Sequence, residues 1–348
     1  MYRPLRVLPL ILTVFMPNIV FSQPDDSLPA LSETYYASLK NKLSVHVYGI
    51  TKFNNIELRS PSGDTIVRFK PNENFNLGAG FNYKWAGISA AFNFKFINND
   101  DHIYGKTTSF DLQSDIYSRK YIWTINLQSY TGFYRDNTFQ YDSVLNAGES
   151  VLLRPDISTF NLGANMIYTF NHGKFSFKAP YTYTERQKRS AGSWLYGTQL
   201  SLYALVADSI LIPFRLQRSF PLYDSLITMV TFSLGNSIGY SYTFVFYRQF
   251  YISATLMLGL SMQAVGAYDV FGRPLIEEGR FSTKSLFRLS IGANNDRCYY
   301  GISLAVDNYP IRNKFQSSFV YNYGKIRIFY GRHFSLESRR KKNIEGSK

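Results

Sequence analysis

The sequence has few of the residues and motifs that many functions require. Its 348 residues include one cysteine, Cys298, and four histidines. A single thiol excludes an intramolecular disulfide, and it excludes a structural zinc site built from cysteines, which needs two to four thiolates. No GxGxxG or GxxxxGK[ST] motif occurs in a strand–helix setting, so no dinucleotide or P-loop site is predicted. We therefore expect no cofactor and no bound metal.

Long hydrophobic runs are also missing after residue 22. A membrane-spanning helix needs roughly 20 apolar residues, so the exported chain is predicted to lack helical anchors. At the start, Arg3 and Arg6 precede a mostly apolar stretch over 7–21, and Ser22 offers a cleavage point before Gln23. This pattern predicts a cleaved secretory signal peptide. An uncleaved anchor is the alternative, but the stretch is short for one.

Acidic residues are fewer than basic ones, and the formal net charge is +14. Such an excess could indicate binding to nucleic acid. The predicted export and the scatter of Lys and Arg over many segments argue against that class. We expect no nucleic-acid partner.

Aromatic residues, by contrast, are abundant: they make up 17% of the chain, with 28 Tyr and 29 Phe. Both types favour strands, and Tyr is enriched where a membrane meets water. In residues 71–96 apolar side chains occupy every second position, the phase changes once at Ala86 and Gly87, and mostly small or polar residues lie between. This period of two predicts two strands that each have two unlike faces. The apolar positions are Phe75, Leu77, Ala79, Phe81, Tyr83, Trp85, Ile88, Ala90, Phe92, Phe94 and Phe96.

The same alternation recurs as far as Tyr330, in segments of about ten residues or more. Strands of soluble folds usually have five or six residues. Ten residues rise roughly 33 Å, and a tilt near 40° leaves about 25 Å of height, which matches the apolar band of an outer-membrane barrel. We therefore predict an all-β fold, a single antiparallel transmembrane β-barrel of about 12–14 strands.

The chain divides into four predicted parts. These are a signal peptide over 1–22, an N-terminal periplasmic or lumenal segment over 23–42, the barrel over 43–334 and a basic polar tail over 335–348. Within the second part, residues 31–41 are predicted to form a short helix capped by Ser32.

The connections between predicted strands alternate between short and long. Tight turns are predicted at 85–87, 118–120, 171–173 and 295–297, and long polar loops at 53–74 and 134–156. A strand is predicted over 175–183. With this strand order, the polar segments 206–225 and 264–279 fall at the opposite end of the barrel from the other loops. That conflict indicates one miscounted strand, between 185 and 239 or between 315 and 334.

Several short stretches carry a family resemblance. They are Pro71-Asn72, GAGFNYKW at 78–85, Arg154-Pro155-Asp156, ERQK at 185–188 with SAGS at 190–193, and GYSYT at 239–243. They resemble a Bacteroidetes-type outer-membrane β-barrel family that is known as a domain of unknown function. The resemblance implies a barrel in the cell outer membrane of a Gram-negative bacterium, and it implies no activity, ligand or catalytic residue.

One polar cluster could carry chemistry at the rim of the barrel. In Asp100, Asp101 and His102 an acid beside a histidine could orient the imidazole as a general base. Runs of Asn and Asp are also ordinary turn residues, and no spaced ligand pattern supports a calcium site. The sequence therefore favours a protein without enzymatic activity, and a rim hydrolase is the less favoured alternative.

If the aromatic face meets lipid, the other face lines the lumen. The lumen-lining candidates are Lys84, Lys95, Lys178, Arg288 and Arg327, with the acids Asp111 and Asp115. An excess of basic groups would favour small anionic or amphipathic solutes in a conducting lumen. The alternative is that these charges pair and fill a structural or surface-interaction barrel. The expected partners are outer-membrane lipid and, during insertion, the barrel-assembly machinery, while the ligand stays unknown.

Overall fold

The computed structural model describes residues 20–21, 34–72, 75–84, 86–94, 97, 100–137, 151–312 and 317–335. Strands make up most of these ranges. In chain order the elements are β1 (Val20–Phe21), β2 (Tyr36–Ser38), β3 (Lys42–Arg59), β4 (Ile66–Lys70), β5 (Phe75–Tyr83), β6 (Ala86–Asn93), α1 (Asp101–Tyr104), β7 (Thr108–Tyr117), β8 (Tyr121–Arg135), β9 (Leu152–Thr169), β10 (Glu185–Gln187), β11 (Ala191–Val206), a 3₁₀ turn (Phe214–Ser219), β12 (Thr228–Phe246), β13 (Phe250–Tyr268), β14 (Pro274–Asn294), β15 (Cys298–Arg312) and β16 (Ser318–Ser335). No helix in these ranges is long and apolar enough to cross a membrane.

Fourteen strands form one antiparallel sheet, and ten of them close into a ring. The order around the ring is β3, β16, β15, β14, β13, β12, β11, β9, β8 and β4, after which β4 returns to β3. The short strands β2 and β10 pair separately. The predicted antiparallel β-barrel is therefore confirmed, but its closed ring has ten strands where about 12–14 were predicted, because β5, β6 and β7 pair beside the ring and the predicted strand over 175–183 is not part of the wall.

The short strand β4 closes the ring, because it pairs with β3 on one side and with β8 on the other. β3 pairs with β5 along its first part and with β4 along Ile56–Arg59. On its other side β4 meets β8, where Phe69 lies opposite Arg135. β6 attaches to β5, and β7 attaches to β8. We call the end where β3 begins and β16 finishes the base, and the opposite end the far end.

Side chains of the long strands alternate between two environments. On β13, Leu256 and Leu260 are 52% and 65% exposed, whereas Thr255 and Ser261 on the other face are 1% exposed. Phe92 on β6 is likewise exposed. The apolar rank thus lies outside and the polar rank inside, in agreement with the sequence pattern.

Several strands are longer than an apolar band requires. β12 and β13 have 19 residues each, and β14 has 21. At about 3.3 Å per residue and a tilt near 40°, such strands stand roughly 50 Å high, about twice the roughly 25 Å of the band. The wall of the barrel therefore projects beyond any such band.

The predicted strand over 175–183 is wrong. The predicted turn over 171–173 is formed, with the N–H groups of Lys174 and Phe175 donating to the Asn171 oxygen at 3.1 and 2.9 Å, but it does not lead into a strand of the wall. Residues 170–190 instead form one long connection that folds inward from the base. Pro180 cannot donate to a strand ladder, and the side chains of Phe175, Phe177 and Tyr183 are buried inside. Removing this strand from the count places the connections 207–227 and 269–273 at the far end with the others, which resolves the conflict in loop position.

Two further predictions change in detail. The long loop expected over 53–74 is mostly strand, because Ile56, Leu58, Val67 and Phe69 pack inside the barrel and extend β3 and β4. The helix expected over 31–41 is not formed beyond residue 35. Tyr36 begins β2, which pairs with β10, and its side chain is fully buried. The cap Ser32 lies outside the described residues.

Candidate functional site in the lumen

The base of the lumen is filled by the connection 170–190, which we call the base segment. Phe175, Phe177 and Tyr183 are buried in it. The barrel wall also holds its backbone: Ser290 Oγ donates to the Pro180 oxygen at 3.1 Å, and Asn294 Nδ2 donates to the Glu185 oxygen at 3.1 Å. The pairing of β2 with β10 adds the buried Tyr36 to this filling.

The far end is filled by the connection 207–227, which we call the far segment. Its residues Leu211, Ile212, Phe220, Tyr223 and Leu226 are buried against the inner faces of the wall in one hydrophobic cluster. Burial raises the pKa of Tyr223, so its hydroxyl stays neutral.

Arg154 ties the far segment to the wall. It lies on β9 and pairs with Asp156 at 2.8 Å. Its Nη1 and Nη2 atoms donate to the backbone oxygens of Ile210 and Ser209 at 3.2 and 2.9 Å. One guanidinium thus forms an ion pair on β9 and two hydrogen bonds to the backbone of the far segment.

A belt of charged side chains lies between the two segments. On β7, Asp111 accepts from Lys52 Nζ at 3.0 Å, from Gln128 Nε2 at 3.0 Å and from the Tyr130 hydroxyl. Asp115, four residues further along β7 on the same face, lies 3.6 Å from Lys325 Nζ. Both carboxylates are therefore compensated by a lysine from another strand.

The remaining belt charges are only partly compensated. Lys284 Nζ donates to Asn165 Oδ1 at 2.7 Å. Arg288 and Asp307 are each 6% exposed, and the Arg288 Nε atom and one Asp307 oxygen have no hydrogen-bond partner among the described residues. Burying part of an ionic group without a hydrogen bond is costly, so these two side chains are less completely hydrogen-bonded than Asp111.

The structure brings most of the predicted lumenal residues inside. Asp111, Asp115 and Arg288 belong to the belt. Arg327 stacks over the Tyr48 ring at 4.2 Å, and Lys178 of the base segment lies 3.9 Å from Glu185.

Lys84 does not line the lumen. It is exposed in the turn after β5, where its N–H donates to the Lys40 oxygen; the strand ends one residue too early for its side chain to point inward. Lys95 lies outside the described residues. Sequence reasoning missed Lys52, Lys284, Asp307 and Lys325, although Lys284 and Lys325 share the parity of Arg288 and Arg327 and could have been found by that signal.

The predicted rim cluster serves a turn. Asn72 Nδ2 donates to Asp100 Oδ1 and Asp101 Oδ1 at 3.0 and 3.1 Å, and to the Gly105 oxygen at 3.1 Å. His102 is exposed on α1. The two carboxylates therefore hold the loop before β7 against Asn72. Within the described ranges no group of three His, Cys, Asp or Glu side chains could hold a metal ion.

A serine–histidine contact that the sequence did not reveal lies near the base. Ser44 Oγ is 2.7 Å from His333 Nδ1, and His333 Nε2 is 3.4 Å from Asn294 Oδ1. The trio resembles a hydrolytic triad, although in that arrangement the serine meets Nε2 and the third group meets Nδ1. However, Ser44 is 1% exposed, and the Tyr299 ring packs on the imidazole at 4.8 Å. We interpret the trio as a buried network that joins β3, β14 and β16.

The sequence matches a family model over residues 24–334, described as a domain of unknown function (DUF4421). The chain belongs to this family. The match includes all of β3–β15 and nearly all of β16, so the DUF4421 domain is the barrel together with both inward segments. A comparison with curated proteins found no significant match.

Solved structures with a similar arrangement of strands are bacterial outer-membrane barrels. The outer membrane protease OmpT from Escherichia coli aligns with a TM-score of 0.34 and 11% identity, over 85% of this chain and 97% of that chain. The translocator domain of autotransporter NalP from Neisseria meningitidis aligns with a TM-score of 0.34 and 8% identity, over 84% and 88%. A FadL homologue from Pseudomonas aeruginosa gives 0.23 and 7%, over 84% and 90%. We infer neither proteolysis nor transport from these similarities.

Proposed function

We propose that this DUF4421 protein is an outer-membrane β-barrel, of the Bacteroidetes type that its sequence resembles, with an occluded lumen and a role carried by its external surface. Three features support insertion in the outer membrane. The outward rank is apolar on most long strands, the ring of ladders is closed, as lipid requires, and the sequence begins with a predicted secretory signal. Outer-membrane barrels have short turns on the periplasmic side and longer loops outside, so we place the base in the periplasm and the far end outside the cell.

The filling of the lumen at both ends carries the proposal. Fully burying a Leu, Ile or Phe side chain stabilises a protein by roughly 1.5–3 kcal/mol. Lifting Leu211, Ile212, Phe220 and Leu226 out of the lumen together would therefore cost on the order of 6–12 kcal/mol. At equilibrium such an open state is populated by less than about one molecule in 10⁴. A pore that is open at rest is incompatible with a free-energy cost of this size.

The far end presents side chains suited to surface contacts. Phe214 in the 3₁₀ turn is 87% exposed, and Phe271 in the turn between β13 and β14 is 78% exposed. Arg273 stacks over the Phe271 ring at 4.9 Å. Aromatic and arginine side chains are enriched in protein interfaces, so we assign the working surface to this end.

Liposome swelling tests the occlusion. Proteoliposomes that contain the refolded protein should swell in an isotonic pentose solution no faster than empty liposomes, while an open porin at equal protein density swells readily. Swelling at the porin's rate would contradict the proposal.

A second candidate is a gated channel for anions or amphipathic acids. It is favoured by the charge of the lumen, where Lys52, Lys284, Arg288 and Lys325 of the belt, together with Arg327, outnumber Asp111, Asp115 and Asp307. Rings of Lys and Arg select anions in pores. Any openings should therefore be anion-selective, and the selectivity should weaken between 0.1 and 1 M salt as the screening length falls from about 10 to about 3 Å. Openings that prefer cations would exclude this candidate.

An enzymatic role has less support. The acids of the rim cluster hold a loop, and Ser44 is enclosed. We propose that the protein has no hydrolytic activity.

A further inference from the structure

A cavity lies inside the barrel, where the polar part of the lumen meets the hydrophobic cluster of the far segment. Its walls come from six strands, and none of the lining side chains is charged. They include Asn165, Ser201, Gln263, Tyr309 and Tyr323. The cavity is small: the centre of a water-sized sphere can move through about 20 Å³ of it.

Four polar groups on one wall of the cavity have no partner among the described residues. They are the Tyr203 hydroxyl, Thr231 Oγ1, Ser233 Oγ and Gln263 Oε1. The four residues are 5%, 3%, 2% and 2% exposed, so bulk water does not reach them.

The strand register places these four groups side by side. Tyr203 on β11 is the ladder partner of Thr231 on β12. Ser233, two residues further along β12 on the same face, is the partner of Gln263 on β13. Together they form one continuous polar patch across three adjacent strands.

A dry patch of this kind would be costly. Each buried polar group that is left without a hydrogen bond costs about 1–3 kcal/mol, and native proteins leave few such groups. A water molecule needs roughly 10–15 Å³ of the space open to its centre, together with two to four polar partners. The cavity provides space for one or two water molecules, and its wall provides the partners.

We propose that this cavity is a built binding site for one or two small uncharged molecules that both donate and accept hydrogen bonds, and that its resident ligand is water. The hydroxyls can donate or accept, and the Gln263 oxygen accepts, so water satisfies all four groups. No lining side chain carries a charge, and the Lys284 ammonium behind the wall already donates to Asn165 Oδ1. An ion in the cavity would therefore lose its hydration without a direct counter-charge. The site is independent of whether the barrel conducts.

Water relaxation dispersion on the refolded wild-type protein tests the proposal directly. We expect a signal from long-lived internal water that falls in the double variant Thr231→Val/Ser233→Ala. Xenon at a few atmospheres should not enter the cavity, because xenon occupies dry apolar cavities and this cavity is polar and filled with water. Xenon in the cavity of the wild-type protein, or a dispersion signal that is identical in the two proteins, would overturn the proposal.

Stability provides a second measurement that does not depend on detecting water. If no water contacted Thr231, the isosteric change Thr231→Val would remove a buried hydroxyl that makes no hydrogen bond, and the urea midpoint of unfolding would rise. If water is bound, the change removes one of its hydrogen-bond partners and the midpoint falls. Thr283→Val, at an exposed position of β14, is the matched control for the change in strand propensity. A midpoint that rises in Thr231→Val beyond this control contradicts the site.

Discussion

The Nζ atom of Lys52 on β3 lies 3.0 Å from Oδ1 of Asp111 on β7 and donates at 3.0 Å to the backbone oxygen of the same residue. β3 and β7 share no ladder in the described sheet, so this lysine links them through the lumen. The Asp111 side chain is 8% exposed and that of Lys52 is 22% exposed. The contact is thus a largely enclosed ion pair that spans the interior.

Removing one charge of this pair should destabilise the barrel. Asp111→Asn leaves the Lys52 ammonium without its counter-charge, and breaking a buried pair costs roughly 3–5 kcal/mol. We expect about 2–4 kcal/mol, because Lys52 keeps some contact with water. Urea unfolding in lipid vesicles measures the loss.

The control is the exposed pair of Lys42 and Asp296, whose atoms are 3.7 Å apart and whose carboxylate is 63% exposed. Asp296→Asn should change the free energy of unfolding by no more than about 1 kcal/mol. Equal effects of Asp111→Asn and Asp296→Asn would show that the lumenal pair is not enclosed.

Arginine at an outward position should report the membrane. Leu256 lies near the middle of β13 and points outward. Leu256→Arg should cost about 2–4 kcal/mol of stability in a bilayer if the site lies near the midplane. Phe271→Arg, in the exposed far-end turn, should cost less than about 1 kcal/mol. If both variants unfold at the wild-type urea concentration in vesicles, the outward face does not meet lipid.

The trio of Ser44, His333 and Asn294 should behave as a structural network. A fluorophosphonate probe should not label Ser44 in the folded protein, because the hydroxyl is enclosed. Ser44→Ala should lower stability by about 1–3 kcal/mol, since it strands a buried imidazole nitrogen. Labelling that disappears in Ser44→Ala but persists in Ser62→Ala, a far-end control, would instead establish a nucleophile.

The turn between β13 and β14 should loosen in acid. Oδ1 of Asp269 accepts from the N–H groups of Phe271 and Arg273, each at 2.9 Å. Burial acts to raise the pKa of Asp269, but the hydrogen bonds from Arg273 and Phe271 outweigh it and hold this pKa below its usual value. A carboxyl group whose pKa is lowered by folding stabilises the fold above its unfolded value of about 3.9 and loses that contribution as the pH falls through the folded value.

Hydrogen exchange of the Arg273 amide, corrected for the intrinsic rate, measures this effect. Protection should be complete at neutral pH and should fall in acid, whereas Asp269→Asn should give weaker protection that does not change over the same range. Acid-insensitive protection in the wild-type protein would refute the assignment.

The period of two in the sequence was sufficient to predict the barrel, because each strand presents one face to each of two unlike environments. It failed at residues 175–183, where alternating aromatic residues pack inside the lumen instead of forming wall. Periodicity reports only that alternate side chains differ, and it cannot distinguish a strand of the wall from an inward segment. Periodicity also cannot predict which charges pair, because Lys52 and Asp111 lie on strands that come together only when the sheet closes into a barrel.

The central claim is that the lumen is occluded, and a planar bilayer with a salt gradient tests it most directly. We predict that the folded wild-type protein, inserted and verified by heat-modifiable gel mobility, gives no steady conductance at moderate voltage. A stable open conductance with a defined reversal potential would contradict this account.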